Sequence, residues 1–203
     1  ASVGLVWPDR ALLRGDLSEV DADGLAGAFA GLYGALKGRH VQVRVLYDAD
    51  LSENALTDLN TLVAPTAAYW TDDEAEAVVQ MASRGGRVVL LDTPAVAFKG
   101  YPPLPEPLRD ALDLKVESAP MEVPYGLPAL NAPEALLARG PLPLRHPYRR
   151  VVTPSDAEPW LWAAACGEMG IPEDADALRP SEDPLVFRAA VGGGDVIYAA
   201  IEM

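Results

Sequence analysis

Two periods alternate through the first hundred residues. Short apolar runs at Val3 to Trp7, Val41 to Leu46, Leu62 to Ala64 and Val88 to Leu91 have the length and β-branched content of strands. Helical patterns separate them. From about Asp21 to Lys37, Leu25, Phe29, Leu32 and Leu36 recur on one face, and a weaker helix covers roughly Glu53 to Leu59. The strongest unit runs from Thr61 to Asp92. Pro65 stops its first strand, Thr71 and Glu74 have the spacing of a capping box, and Ala75, Val78, Val79 and Ala82 fall at i, i+3, i+4 and i+7. Gly85 suits the left-handed residue that closes a helix, and the run after Arg87 restarts a strand. Strand, crossover helix and strand make a right-handed parallel unit. Four strands alternating with three helices predict a mainly parallel α/β sheet, doubly wound.

Two features interrupt this regularity. The loop from Asp9 to Glu19, with Arg10, Arg14 and Asp16, is long enough to line a crevice. On the Asp21 to Lys37 helix, Gly24, Gly27, Gly31 and Gly34 share a face turned away from the leucines. Each glycine costs a helix about 1 kcal/mol relative to alanine. Close approach of another backbone is one physical reason, which makes these four the interface candidates. The approaching partner is a neighbouring helix, the Pro-rich part of the chain or a second subunit. A GC-rich genome that uses glycine freely is the plain alternative.

After Asp92 the texture changes. Thr93 to Pro184 holds most of the nineteen prolines, which remove backbone donors and fix φ. That composition predicts an irregular layer of loops and edges with short helices at Glu106 to Leu112 and Pro133 to Arg139. Its apolar residues, Leu108, Leu112, Leu114, Val116, Leu136 and Leu137, argue against a linker. Trp160 to Ala165 reads equally as strand or helix. Leu185 to Val191 and Val196 to Ile201 alternate around Gly192-Gly193-Gly194-Asp195, a hairpin closing one sheet edge. The chain therefore reads as one domain over 1–203: a core at 1–100, a Pro-rich layer at 101–184 and a closing hairpin at 185–203.

Charge and composition act by exclusion. A formal charge of −14 argues against nucleic acid and anionic membrane as partners, since both call for a basic face. No apolar run approaches the ~20 residues that span a bilayer. The expectation is a chain without a signal peptide and, lacking an initiator Met, one processed, trimmed or cut from something longer. The single Cys166 excludes an internal disulfide and a multi-cysteine metal site, and suits a reducing, cytoplasmic compartment. Gly192-Gly193-Gly194 invites a phosphate-loop reading, but no helix follows to supply an N-terminal dipole. Asp48-x-Asp50 and Asp21-x-Asp23-Gly24 are too short for a calcium loop. No cofactor and no metal are expected.

The central stretch carries a resemblance. Leu62-Val63-Ala64-Pro65, Tyr69, Thr71-Asp72-Asp73-Glu74-Ala75-Glu76-Ala77 and Gly85-Gly86-Arg87-Val88-Val89 resemble the class I glutamine-amidotransferase-like domain of family forty-two β-galactosidases, the trimerisation domain. Val3-Gly4-Leu5-Val6, Gly31-x-Tyr33-x-Ala35-Leu36, Val45-Leu46-x-Asp48-x-Asp50-Leu51 and the closing Leu185-Val186-Phe187 with Gly194-Asp195-Val196-Ile197-Tyr198 are similar too. The likeness covers about the first hundred residues and the last twenty. It implies a flavodoxin-like, amidotransferase-like fold and an accessory role, because the glycosidase carboxylates of those enzymes sit on a separate barrel. Implied partners are further copies, a parent multidomain protein and carbohydrate. The amidotransferase nucleophile would sit at Leu91-Asp92-Thr93-Pro94, where no cysteine stands, and neither His40 nor His146 has a His-x-Glu context. The resemblance thus leans away from an enzyme.

A ligand site in such a sheet lies beyond the carboxyl ends of the strands, at the switch in strand order. With the order 2-1-3-4, Asp9, Arg10, Thr66, Tyr69, Trp70, Asp92 and Thr93 would line it. Asp9 with Asp92 makes a carboxylate pair for acid–base work or a hard metal with waters, the basis of a small hydrolase or a binding protein. Acidic residues also simply end strands and begin turns. Trp70, Trp160 and Trp162 suit either sugar stacking or core and interface packing.

Overall fold

The computed structural model describes residues 2–13, 19–67, 69–91, 104–121, 125–144, 148–153, 156–166 and 178–200. In chain order these form β1 (Ser2–Trp7), α1 (Asp9–Leu13), α2 (Glu19–Gly38), β2 (Val43–Tyr47), α3 (Glu53–Leu56), β3 (Leu59–Ala64), α4 (Asp72–Ser83) and β4 (Arg87–Leu91). The second half adds α5 (Glu106–Ala111), β5 (Lys115–Met121), β6 (Tyr125–Pro128), α6 (Glu134–Leu137), β7 (Leu142–Pro143), β8 (Tyr148–Val152), β9 (Glu158–Cys166), β10 (Leu178–Val191) and β11 (Gly194–Ala199).

Nine strands share one mixed sheet in the order β2-β1-β3-β4-β11-β10-β9-β6-β7, and β5 pairs with β8 in a second sheet. β1 lies parallel to β2 and β3, and β4 parallel to β3 and β11. The hairpin of β10 and β11 is antiparallel, so the sheet changes character at β11. Parallel register places Leu62, Val88 and Val196 side by side, and likewise Ala64, Leu90 and Tyr198. That face is fully buried beneath α3, α4 and α5, with Leu56, Val78, Met81, Leu108 and Leu112 in the same core. Gly4 belongs to it because a Cβ there would meet the Leu59 side chain at 2.7 Å.

The opposite face is thinner. α2 crosses it, with Phe29 edge-on to Trp7 at 4.8 Å and Leu32 packed toward Leu91, Leu185 and Ala199. Its first turns pack Leu25 on Ala11. β2 protrudes beyond this cover: Val45 is 43% and Tyr47 53% exposed.

Three sequence expectations change. The loop expected from Asp9 begins as α1. The Pro-rich stretch holds both short helices but also β5 to β9, with Trp160 to Ala165 inside strand β9. β10 starts at Leu178, well before the expected hairpin. Proline obscured these strands because it sits where a ladder tolerates it. Pro180 and Pro184 flank register shifts between β10 and β9, and Pro143 lies on the edge strand β7.

Candidate functional site

The carboxyl ends of β1 and β3 meet α1, the short 3-10 turn Asp48–Asp50 and the start of α4. Thr71 caps α4 as its spacing predicts: its Oγ1 accepts the Glu74 amide at 3.3 Å, while Glu74 Oε2 accepts the Thr71 amide at 2.8 Å. Glu74 is nevertheless turned inward and buried. Arg10, from α1, reaches across and donates to both its oxygens, through Nη2 to Oε1 at 2.5 Å and through Nη1 to Oε2. Nη1 also donates to the Tyr69 carbonyl at 3.3 Å. Burial alone would raise the Glu74 carboxyl. The Arg10 guanidinium and the Thr71 donors outweigh it and hold the group below its ordinary range.

Asp48 forms the second half of this plug. It is only 2% exposed, and both oxygens are engaged. Trp70 Nε1 donates to Oδ1 at 2.8 Å and the Arg10 amide to Oδ2 at 3.1 Å. The Asp48 amide in turn donates to Asp9 Oδ1 at 3.0 Å. Burial pushes the Asp48 carboxyl up to about 6 against these donors, and the neighbouring Asp9 carboxyl adds to the rise. Trp70 is 6% exposed with its N–H committed, which removes it as a sugar platform.

The sheet thus gathers Asp9, Arg10, Thr66, Tyr69 and Trp70 at one end, with Thr66 and Trp70 buried and the other three half-buried. Asp92 and Thr93 lie outside the described residues. Sequence reasoning missed Asp48 and Glu74 here. Glu74 was legible as a cap, and its simultaneous pairing with Arg10 depends on α1 folding back over α4. Among the described residues no three His, Cys, Asp or Glu side chains are arranged to hold a metal ion, and no helix is long and apolar enough to cross a membrane.

A second polar cluster lies at the other end of the strands, around a depression of about 380 Å³ bounded by Asn60, Thr61, Gly86 and Gly193. Asp195 accepts from Arg87 Nε and Nη2 at 2.7 and 2.6 Å and from Arg188 Nε at 2.8 Å, while Arg188 Nη1 reaches Glu158 at 3.3 Å. Two arginines face two carboxylates, so the charges compensate. The Arg87 guanidinium, with Arg188 helping, holds Asp195 below the usual carboxylate range. This pairing is invisible until β4 and β11 are known to be neighbours. The glycine turn beside it is structural: Gly192 has φ 57°, Gly85 has φ 100°, and the Gly193 amide donates to the Ser83 carbonyl at 2.9 Å.

The remaining sequence candidates scatter. Gly27, Gly31 and Gly34 face open space, with nothing within 4 Å of an added Cβ, so among the described residues no helix or Pro-rich segment approaches them. Gly24 is half-buried. Trp160 and Trp162 are half-buried on β9, Trp160 against the Leu161 and Leu185 cluster. Cys166 ends β9, His40 is exposed between α2 and β2, and His146 lies outside the described residues.

Comparison with solved structures places the fold among large glycosidase chains. A β-galactosidase from Rahnella sp. R3 matches 98% of this chain with 28% of its own, at 17% identity and a TM-score of 0.67. A polyextremophilic β-galactosidase from Halorubrum lacusprofundi matches 98% with 27% of its own, at 23% identity and 0.63. A cytoplasmic protein from Salmonella typhimurium LT2 matches along 88% of its own length, at 12% identity and 0.62. The chain spans about 28% of the Rahnella enzyme. Identities this low speak for the fold alone. No curated protein matches the sequence. The family model described as a domain of unknown function, DUF4350, matches residues 21–198, and the chain belongs to that family.

Proposed function

We propose that this chain is a non-catalytic assembly or accessory domain, related to the trimerisation domain of family forty-two β-galactosidases and serving a larger carbohydrate-active protein. The observation that carries this reading is the plug. Where a doubly wound sheet would bind a ligand, Arg10 is bound to Glu74, and Asp48 to Trp70 and the Arg10 amide. A ligand would have to displace interactions that the fold itself uses. The fold likeness to β-galactosidase chains more than three times as long fits a module beside a catalytic barrel.

One observation favours a second reading, a small hydrolase or carbohydrate-binding protein. Asp9 and Asp48 lie together at the switch point, and a carboxyl pushed up to about 6 is how an acid–base group is tuned. Turnover decides between them. Glutamine and aryl-galactosides are offered to the purified chain, to Asp9→Asn and to Cys166→Ala. Background rates in all three are expected. Turnover by the wild type that either substitution abolishes would overturn the accessory reading.

A further inference from the structure

The edge strand β2 combines several features that edge strands normally avoid. Val3 N–H donates to the Gln42 carbonyl at 3.1 Å, which sets the phase of the β1–β2 ladder. Arg44 and Leu46 therefore turn their backbone groups toward β1, and Val43, Val45 and Tyr47 turn theirs outward. The Tyr47 amide is taken by Asp50 Oδ2 at 2.9 Å. The outward groups of Val43 and Val45 have no partner among the described residues. Native sheets blunt such edges with proline, lysine or an inward charge. β2 has neither proline nor lysine, and its one charge, Arg44, sits on the α3 side, where it is committed to the Ala55 carbonyl and leaves the α2 side uncharged. The side chains above the open edge are apolar, with Val45 and Tyr47 about half exposed because α2 packs over β1.

Charge selects the occupant. The overall charge is −14, yet the end of β2 nearest α2 carries the exposed Lys37 and Arg39, and its far end carries the exposed Asp50, with Glu53 beyond it shared with Arg84 at 3.1 Å. An antiparallel pairing of two β2 strands sets each basic end beside the other copy's acidic end. A parallel pairing would set like charges together. We propose that β2 is where two copies of this chain pair, antiparallel about a two-fold axis at Val45, so that one sheet runs through both. Val45 then faces Val45 of the other copy, and Val43 faces Tyr47, joining the two bare strips into one apolar surface. A closed two-fold contact of this kind uses the same patch on both copies. The inference rests on the assembly reading. Its test reads geometry and mass, not turnover, so the two fail separately.

In a hydrogen-bonded antiparallel pair the Cα atoms of opposed residues lie about 5.5 Å apart, within disulfide range. Val45→Cys in a Cys166→Ser background is therefore expected to give a covalent dimer under mild oxidation, while Arg44→Cys in the same background, where residue 44 faces residue 46 of the other copy, gives no covalent dimer. Light scattering of the unmodified chain over rising concentration is expected to climb toward twice the monomer mass, and Val45→Lys to remain at the monomer mass. A wild type that stays monomeric, a limiting mass of three chains, or equal cross-linking at positions 44 and 45 would each overturn the proposal.

Discussion

Removing the Arg10 guanidinium tests whether the plug is a structural unit. Arg10→Met keeps the aliphatic stem and leaves the Glu74 carboxylate, in a residue 8% exposed, with Thr71 as its remaining partner. Stripping one partner from a buried ion pair costs about 3–5 kcal/mol. The Arg10 side chain is 33% exposed, so water and screening bring the figure down to roughly 2–3 kcal/mol. Glu74→Gln costs less, roughly 1–2 kcal/mol, because Arg10 can turn toward solvent and the glutamine oxygen still accepts from Thr71. If the two act as a pair, the double variant costs less than the sum by about 1–2 kcal/mol. For a chain of this size each kcal/mol moves Tm by about 2–4 °C, so Arg10→Met should melt roughly 4–12 °C lower. Urea and thermal unfolding of the four proteins measure the cycle. The sign with pH follows from Glu74 being held low. Its contribution is full above the unfolded value and lost as pH falls through the folded one, so acid should narrow the gap between wild type and Arg10→Met. A coupling below ~0.5 kcal/mol would mean that Arg10 and Glu74 merely lie near each other.

Asp48 should act in the opposite direction. Its folded value of about 6 lies above the ordinary 3.8, so the folded state holds the extra proton between those pH values. Stability should therefore fall as pH rises across that window, by at most ~3 kcal/mol. Asp48→Asn should flatten that slope, at the fixed cost of an amide facing one of the two N–H donors; an unchanged slope of the urea midpoint would assign it to another group. The glycines separate equally sharply. Gly31→Ala, with open space around it, should stabilise α2 by about 0.5–1 kcal/mol. Gly194→Ala drives a Cβ into the Gly86 and Ala82 carbonyl oxygens and should unfold the chain or cost ~3 kcal/mol or more. Equal melting points for the two variants would refute the packing account of the hairpin turn.

Local chemistry made the first half legible. The Thr71 and Glu74 spacing gave the observed cap, Gly85 took a positive φ, and β-branched runs became β1 to β4 in the anticipated order, since each signal depends on residues a few positions apart. Pattern failed where a residue's role depends on its neighbour in the sheet. Prolines at bulges and edges concealed β5 to β9, because whether a missing N–H matters depends on which side of the strand is paired. The gathering of Asp9, Arg10, Thr66, Tyr69 and Trp70 followed from strand order, a property of pattern. Filling that place with Arg10–Glu74 and Trp70–Asp48 contacts was decided by tertiary structure: Glu74 lies 64 residues from Arg10 and Trp70 lies 22 from Asp48. The glycine stripe shows the same division. Sequence specified a smooth helical face, and only packing could show that none of the described residues lies against Gly27, Gly31 or Gly34.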